Sequence, residues 1–146
     1  MGPSLIALAV PLFFWGMACE GWAGRRRGTR VFRAGDALAD VGCGVAQQLV
    51  ALLLSNALVL EVYTAAYAHR AWTLPTAWLP WAAAVLGVEV AYYWWHRLSH
   101  EVNLLWVAHV VHHQSEDYNL AVALRQSVLT WATTLPFYLP LALLGV

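Results

Sequence analysis

Lysine is absent from this chain of 146 residues, so all eight of its basic side chains are arginines. Charge of either sign is scarce: charged residues make up 11%, acids and bases balance at eight each, and hydrophobic residues reach 61%. That shortage excludes an ordinary water-soluble domain. A chain this short has too little interior to hide so much apolar surface, whereas a bilayer accepts it. Zero net charge offers nothing to attract a nucleic acid, and none is expected as a partner. Only two cysteines occur, Cys19 and Cys43, both in apolar stretches and without a CxxC pair, so a disulfide framework is excluded and both read as small core residues. No basic residue precedes the first apolar segment; the arginines follow it. That order argues against a cleaved signal peptide, and against reading Gly16-Met17-Ala18-Cys19 as a lipoprotein cleavage site. Internal repeats, low-complexity stretches and linkers are also missing, so residues 1–146 read as a single membrane domain.

What the chain does have is apolar length. A helix needs about 20 apolar residues to cross a hydrocarbon core ~30 Å thick. Four segments approach this: residues 3–22, 41–67, 78–95 and 128–146, the last interrupted by Pro136 and Pro140. The expected fold class is therefore all-α, an integral membrane bundle of about four helices. Arg25, Arg26, Arg27, Arg30 and Arg33 follow the first segment, which places that loop on the cytoplasmic side. Alternation then makes the His69–Ala77 link external and brings the end of the third segment back to the cytoplasmic face. Trp72, Trp78 and Trp81 mark one interface and Tyr92, Tyr93, Trp94 and Trp95 the other. The expected location is a bacterial inner membrane or the endoplasmic reticulum.

Five of the six histidines fall within eighteen residues, in the order HRLSH (His96, His100) and HVVHH (His109, His112, His113). Spacing of three or four residues turns imidazoles to one helix face, and neutral imidazole is the commonest protein ligand for zinc, iron and copper. At ~100° per residue, His100 and His109 would lie on opposite sides of one straight helix. The chain must therefore bend near Glu101-Val102-Asn103, the third helix running on to about His100 and a separate surface helix carrying His109–His113. There Leu104, Leu105, Trp106, Val110 and Val111 would rest on the lipid boundary. A lone histidine is usually a satisfied polar residue, and His69 is read that way. No packing need gathers five, and such clusters at a membrane mark function. The cluster is read as a metal site.

Acidic residues are the natural partners of such ligands. Glu89 lies seven residues before His96, ~10 Å deeper along the helix. It suits an outer role in the site or in a channel, or else packs between helices against Gln47 or Gln48. Glu101, Glu116 and Asp117 are candidate oxygen ligands or imidazole-orienting partners, Asp117 reading better as a solvated charge. Arg97 suits a lipid headgroup, and Arg125 either a headgroup or an anionic group.

HRLSH followed by HVVHH resembles the first two histidine boxes of the fatty acid hydroxylase/sterol desaturase superfamily. The approach Glu89-Val-Ala-Tyr-Tyr-Trp-Trp-His-Arg is also similar, and LLWVAHVVHHQSEDYNLAVALRQS resembles the alkylglycerol monooxygenase-like branch. The resemblance is specific over residues 89–127. It implies a non-haem centre, taken as di-iron, ligated by His96, His100, His109, His112 and His113. It further implies O2 activation and attack on a C–H bond of a membrane lipid, by hydroxylation, desaturation or oxidation beside an ether oxygen. A reduced pterin or another electron donor would drive the reaction. Imidazole in place of thiolate suits an oxidising centre, although it suits zinc as well as iron. Tyr92, Trp95 and Trp106 are candidates to line an acyl channel. The superfamily's third box has no counterpart among the 33 residues after His113. The chain is thus expected to correspond to the N-terminal part of such an enzyme, completed by a further region or another chain. The alternative is a non-catalytic metal-binding membrane protein or an inactive fragment. A transporter would continue polar residues through a span, a b-type haem protein would face histidines within spans, and a zinc hydrolase would prefer HExxH.

Overall fold

The computed structural model describes residues 5–75 and 77–146, and the described residues form helices without a strand. Six α-helices follow in order: α1 Leu5–Arg26, α2 Ala34–Val50, α3 Asn56–Ala68, α4 Trp78–Glu101, α5 Asn103–His109 and α6 Thr130–Leu143. Of the first expected segment, Pro3 and Ser4 lie outside the described residues.

The second expected segment, 41–67, begins too late. Helix starts at Ala34 and runs to Ala68 through a π-turn at Ala51–Ser55. Its 35 residues would extend ~52 Å at 1.5 Å each, well beyond a hydrocarbon core. Asp36 in its first turn explains the early start, since a carboxylate complements the positive helix N-terminus. Among the described residues this is the one helix that is long and apolar enough to cross a membrane. The all-α class is as expected, and of the four expected spans one coincides with a helix that meets the length and hydropathy of a crossing. α6 has 14 residues, not the 19 of 128–146, and at ~21 Å it falls short of the core thickness. Pro136 and Pro140 remove two amide donors from this helix, and a turn through Leu144 and Gly145 closes it. α4, by contrast, passes the expected interface and ends at Glu101.

α6 packs against both α3 and α4, and the Leu120–Leu124 3-10 turn packs on α2 and the end of α1. Two ends of the molecule result. At one, the Ala71 amide donates to the Leu143 carbonyl, and Gly145 closes against Trp72. At the other, the arginine-rich loop meets the segment behind the histidines: Asn119 Nδ2 donates to the Val31 carbonyl at 2.9 Å, and the Leu120 amide to Glu20 Oε2 at 2.9 Å. Apolar side chains face outward along the helices. Leu52, Leu53 and Leu54 are 73%, 74% and 68% exposed, the inverse of a water-soluble core.

Gly28 and Gly145 both have positive φ, at 68° and 88°. A Cβ at Gly28 would meet open space, whereas at Gly145 it would stand 2.2 Å from the Trp72 carbonyl oxygen. Gly28→Ala should therefore cost about 1 kcal/mol, the left-handed backbone penalty alone. Gly145→Ala should cost clearly more. Thermal unfolding of both variants in detergent checks the difference, and equal midpoints would contradict the close approach.

Candidate metal centre

The site begins with a helix that must stop. α4 carries Trp95, His96, Ser99 and His100, and ends where Val102 takes up an extended conformation (φ −110°, ψ 115°). That one residue reverses the chain, and α5 starts at Asn103. α5 brings His109 back beneath α4, and a 3-10 turn at Val110–Gln114 carries His112 and His113. The expected bend thus falls on Val102. The expected surface helix ends earlier than foreseen, because its last two histidines occupy the tighter turn.

The structure brings His96, His100, His109 and His113 together, one ring nitrogen of each lying within 4.8 Å of the others. They form two pairs. His96 and His100 oppose Nε2 to Nε2 at 3.2 Å, and His109 and His113 do the same at 3.1 Å. Two imidazoles bound at ~2.0–2.1 Å to one ion, in tetrahedral or octahedral geometry, stand ~2.9–3.4 Å apart. Both separations fit that range. His112 stands beside the group, its ring centroid 5.2 Å from that of His113 and 5.9 Å from that of His109. Its Nδ1 lies 3.3 Å from the Arg125 carbonyl oxygen. A carbonyl can only accept, so Nδ1 carries the proton and Nε2 keeps its lone pair, the tautomer that a metal ligand needs. The donor set fits a divalent transition metal.

Burial favours the neutral form at three of the imidazoles. His109 is 6% exposed, and its pKa is pushed down to about 4, first by burial and then by His96, His113, His100 and His112. His96 and His113 are lowered as well, again mainly by burial. Aromatic rings form the walls: Trp95 meets His109 edge-on at 5.4 Å, and Trp106 stacks on His113 at 5.7 Å. Trp95 itself is fixed by its Nε1 donating to Thr133 on α6, and Ser99 by its hydroxyl donating to the Trp95 carbonyl. Beside the cluster a cavity of about 510 Å³ is lined by His96, His109 and His112, by Tyr92 and Trp95, and by Gln126, Thr130, Thr134 and Tyr138. Tyr92 and Trp95 face it. Trp106 covers the histidines instead.

The acidic candidates lie elsewhere. Glu89 is exposed on α4. Glu101 pairs with Arg97 at 3.1 Å, and Tyr93 also accepts from Arg97. Glu116 pairs with Arg33 at the surface. Asp117, read from the sequence as solvated, accepts from both the Arg33 amide and Nε. His69 caps the end of α3, apart from the cluster.

Asp36 and Asp40 are the residues that sequence reasoning passed over. Arg125 Nη1 donates to Asp40 at 2.9 Å and to Asp36 at 3.3 Å, while Asp36 also accepts from Ser115 Oγ and the Asp117 amide. Asp40 is fully buried, and the Arg125 side chain is 12% exposed. Removing one member of such a pair strands a charge and typically costs ~3–5 kcal/mol. The signal was present: two acids four residues apart in front of an apolar run, and a single arginine at the start of another.

Residues 81–146 match the fatty acid hydroxylase family. The chain is 40% identical to an alkylglycerol monooxygenase of Homo sapiens over 149 residues, covering 97% of the chain and 32% of that protein. It is 34% identical to one of Xenopus tropicalis over 145 residues, covering 96% of the chain and 32% of that protein. A 69-residue stretch, 47% of the chain and 15% of the relative, is 56% identical to one of Danio rerio. The chain thus spans about a third of the length of the two relatives it matches end to end. No solved structure matches it.

The histidine pKa shifts set the acid stability of the metal-free fold. His109 titrates lower folded than unfolded, so on acidification the unfolded chain takes the proton first. Stability is then complete above pH 6.5 and is lost progressively as pH falls toward 4. The span corresponds to about 3 kcal/mol at 1.36 kcal/mol per pH unit. Thermal midpoints in detergent with chelator should fall between pH 7 and pH 4.5, and less steeply in His109→Gln. A profile that His109→Gln leaves unchanged would contradict the buried, neutral imidazole.

Proposed function

For a chain whose residues 81–146 match the fatty acid hydroxylase family, we propose an integral membrane, O2-dependent lipid monooxygenase built on a di-iron centre. The observation that carries this reading is the pairing of four imidazoles, Nε2 to Nε2, beside an aromatic-walled cavity. His96, His100, His109, His112 and His113 are the proposed ligands. Iron held by them would supply the oxidising chemistry, activation of O2 toward a lipid C–H bond. Zinc satisfies the same imidazoles but brings no redox chemistry, and the likeness to monooxygenases favours iron.

The chain's own residues do the rest. Tyr92 and Trp95 offer an apolar wall along which an alkyl chain can lie, and Gln126, Thr130, Thr134 and Tyr138 offer hydrogen bonds to the polar end of a lipid. Trp106 shields His100 and His113 from the opposite side. The outward-facing leucines and the long apolar helix through α2 and α3 support embedding in a bilayer. The arginine loop lies at the same end as the histidines, which supports a cytoplasmic site under the positive-inside rule. The names of the relatives favour an ether lipid as substrate and insertion of one oxygen atom as the reaction. The electron donor, a reduced pterin or another reductant, would be an external partner, as would any further region completing the ligand set.

Membranes containing the chain, given iron, a reductant and ¹⁸O2, should incorporate label into alkyl or acyl lipid. His109→Ala should reduce that by at least 10²-fold, and His69→Ala should leave it unchanged. No incorporation when the region completing the ligand set is also supplied, or incorporation insensitive to His109→Ala, would contradict the oxygenase reading.

A further inference from the structure

His96, His100 and His109 owe their placement to α4, α5 and the turn at Val102, and His113 meets His109 Nε2 to Nε2 at 3.1 Å. His112 has no such partner among the histidines. It lies three residues into a 3-10 turn, where the backbone is tighter and less regular than in an α-helix. Its ring is fixed from outside by the carbonyl of Arg125. Arg125 makes a second bond to the same turn, its Nε donating to the Val111 carbonyl at 3.0 Å. Residue 125 thus grips the backbone beside His112 with its side chain and the His112 ring with its main chain.

That grip is anchored in the longest helix. Arg125 Nη1 donates to Asp40 Oδ1 at 2.9 Å and to Asp36 Oδ1 at 3.3 Å. Asp40 is 0% exposed, and its second oxygen is buried without a partner among the described residues. A buried carboxylate that satisfies one oxygen on a single guanidinium is an expensive way to join two helices. An apolar pair would serve packing better. α2 also passes very close here: a Cβ on Gly44 would lie 2.8 Å from the Leu124 carbonyl oxygen. The segment just before Arg125 is therefore held against α2 by backbone contact as well as by charge.

We propose that Asp40 and Arg125 are positioning residues of the metal centre, fixing the orientation and tautomer of His112 so that its Nε2 is presented as a fifth imidazole donor. The proposal rests on the metal-site reading above and adds how one ligand is set. Neither residue touches the ion. The Asp40 carboxylate holds the guanidinium, the guanidinium holds residues 111 and 125, and the Arg125 carbonyl holds the proton on His112 Nδ1. Outer partners of this kind typically change metal affinity by ~10–100-fold.

Cobalt(II) binding to the full chain in detergent, followed by chelator competition and by the visible d–d spectrum, tests this. Asp40→Asn and Arg125→Lys should each weaken Co²⁺ at least tenfold and shift the d–d bands, with helical circular dichroism and elution volume unchanged. Lysine keeps a positive charge for Asp40 but loses the Nε bond to Val111, and Asn keeps the shape of Asp40 but loses its charge. The double-variant cycle separates positioning from general damage. In a His112→Ala background, Arg125→Lys should cause less than a twofold further loss, while in a His100→Ala background its full effect should remain. If Arg125→Lys does not yield folded chain, Asp40→Asn carries the same cycle. Equal losses in both backgrounds, or no loss in either single variant, would overturn the positioning role and leave the metal site standing. No Co²⁺ binding by the unsubstituted chain would overturn both readings.

Discussion

One extended residue, Val102, sits at the root of this structure. A straight helix cannot bring His100 and His109 to one side, because nine residues at ~100° each leave them opposed. Breaking the helix at Val102 folds α5 back under α4 and turns two histidine motifs into one cluster. The break forces the rest. Four imidazoles so close together cannot all be protonated, and burial of His109 removes the solvent that would screen them. Each Nε2 pair can share a proton as an N–H···N bond or turn two lone pairs to one cation, and convergence of four rings within 4.8 Å suits the cation.

Holding such a cluster open needs a scaffold less yielding than apolar contacts. Trp95 supplies part of it, wedged between His109 and α6 and fixed by Thr133. The rest is polar. Arg33, Asp36, Asp40, Ser115, Asp117 and Arg125 tie the start of α2 to the loop behind the second histidine motif. A network of buried charges adds little net stability over an apolar equivalent, but it is intolerant of displacement. That intolerance suits a site whose ligands must stay within a few tenths of an ångström. It also places the scarce charges of this chain: six of the sixteen, Arg33, Asp36, Asp40, Glu116, Asp117 and Arg125, lie in this one network.

Much of the helical character and the histidine cluster were legible in the sequence, because both rest on local rules. Apolar runs give helices, and the spacing of His96 with His100, and of His109 with His113, gives shared faces. The bend was legible from angular arithmetic alone. Less legible were the features set by distant partners. Asp36 and Asp40 drew no notice because their meaning depends on Arg125, some 85 residues away. Glu101 and Glu116 drew notice as charges close to histidines in sequence, yet each turns to an arginine instead. Helix lengths failed for a related reason. Hydropathy registers the apolar part of a helix, not the polar turn of α2 that precedes it, nor the two prolines that shorten α6.

The proposed metal centre of His96, His100, His109, His112 and His113 stands or falls on whether the protein holds iron. Elemental analysis of the chain purified in detergent after growth with iron decides this, with the combined variant His112→Ala/His113→Ala as reference. Iron should be present in near-stoichiometric amount, one to two ions per chain, and lost from the variant. An absence of bound metal, or equal metal in both proteins, would overturn the metal centre.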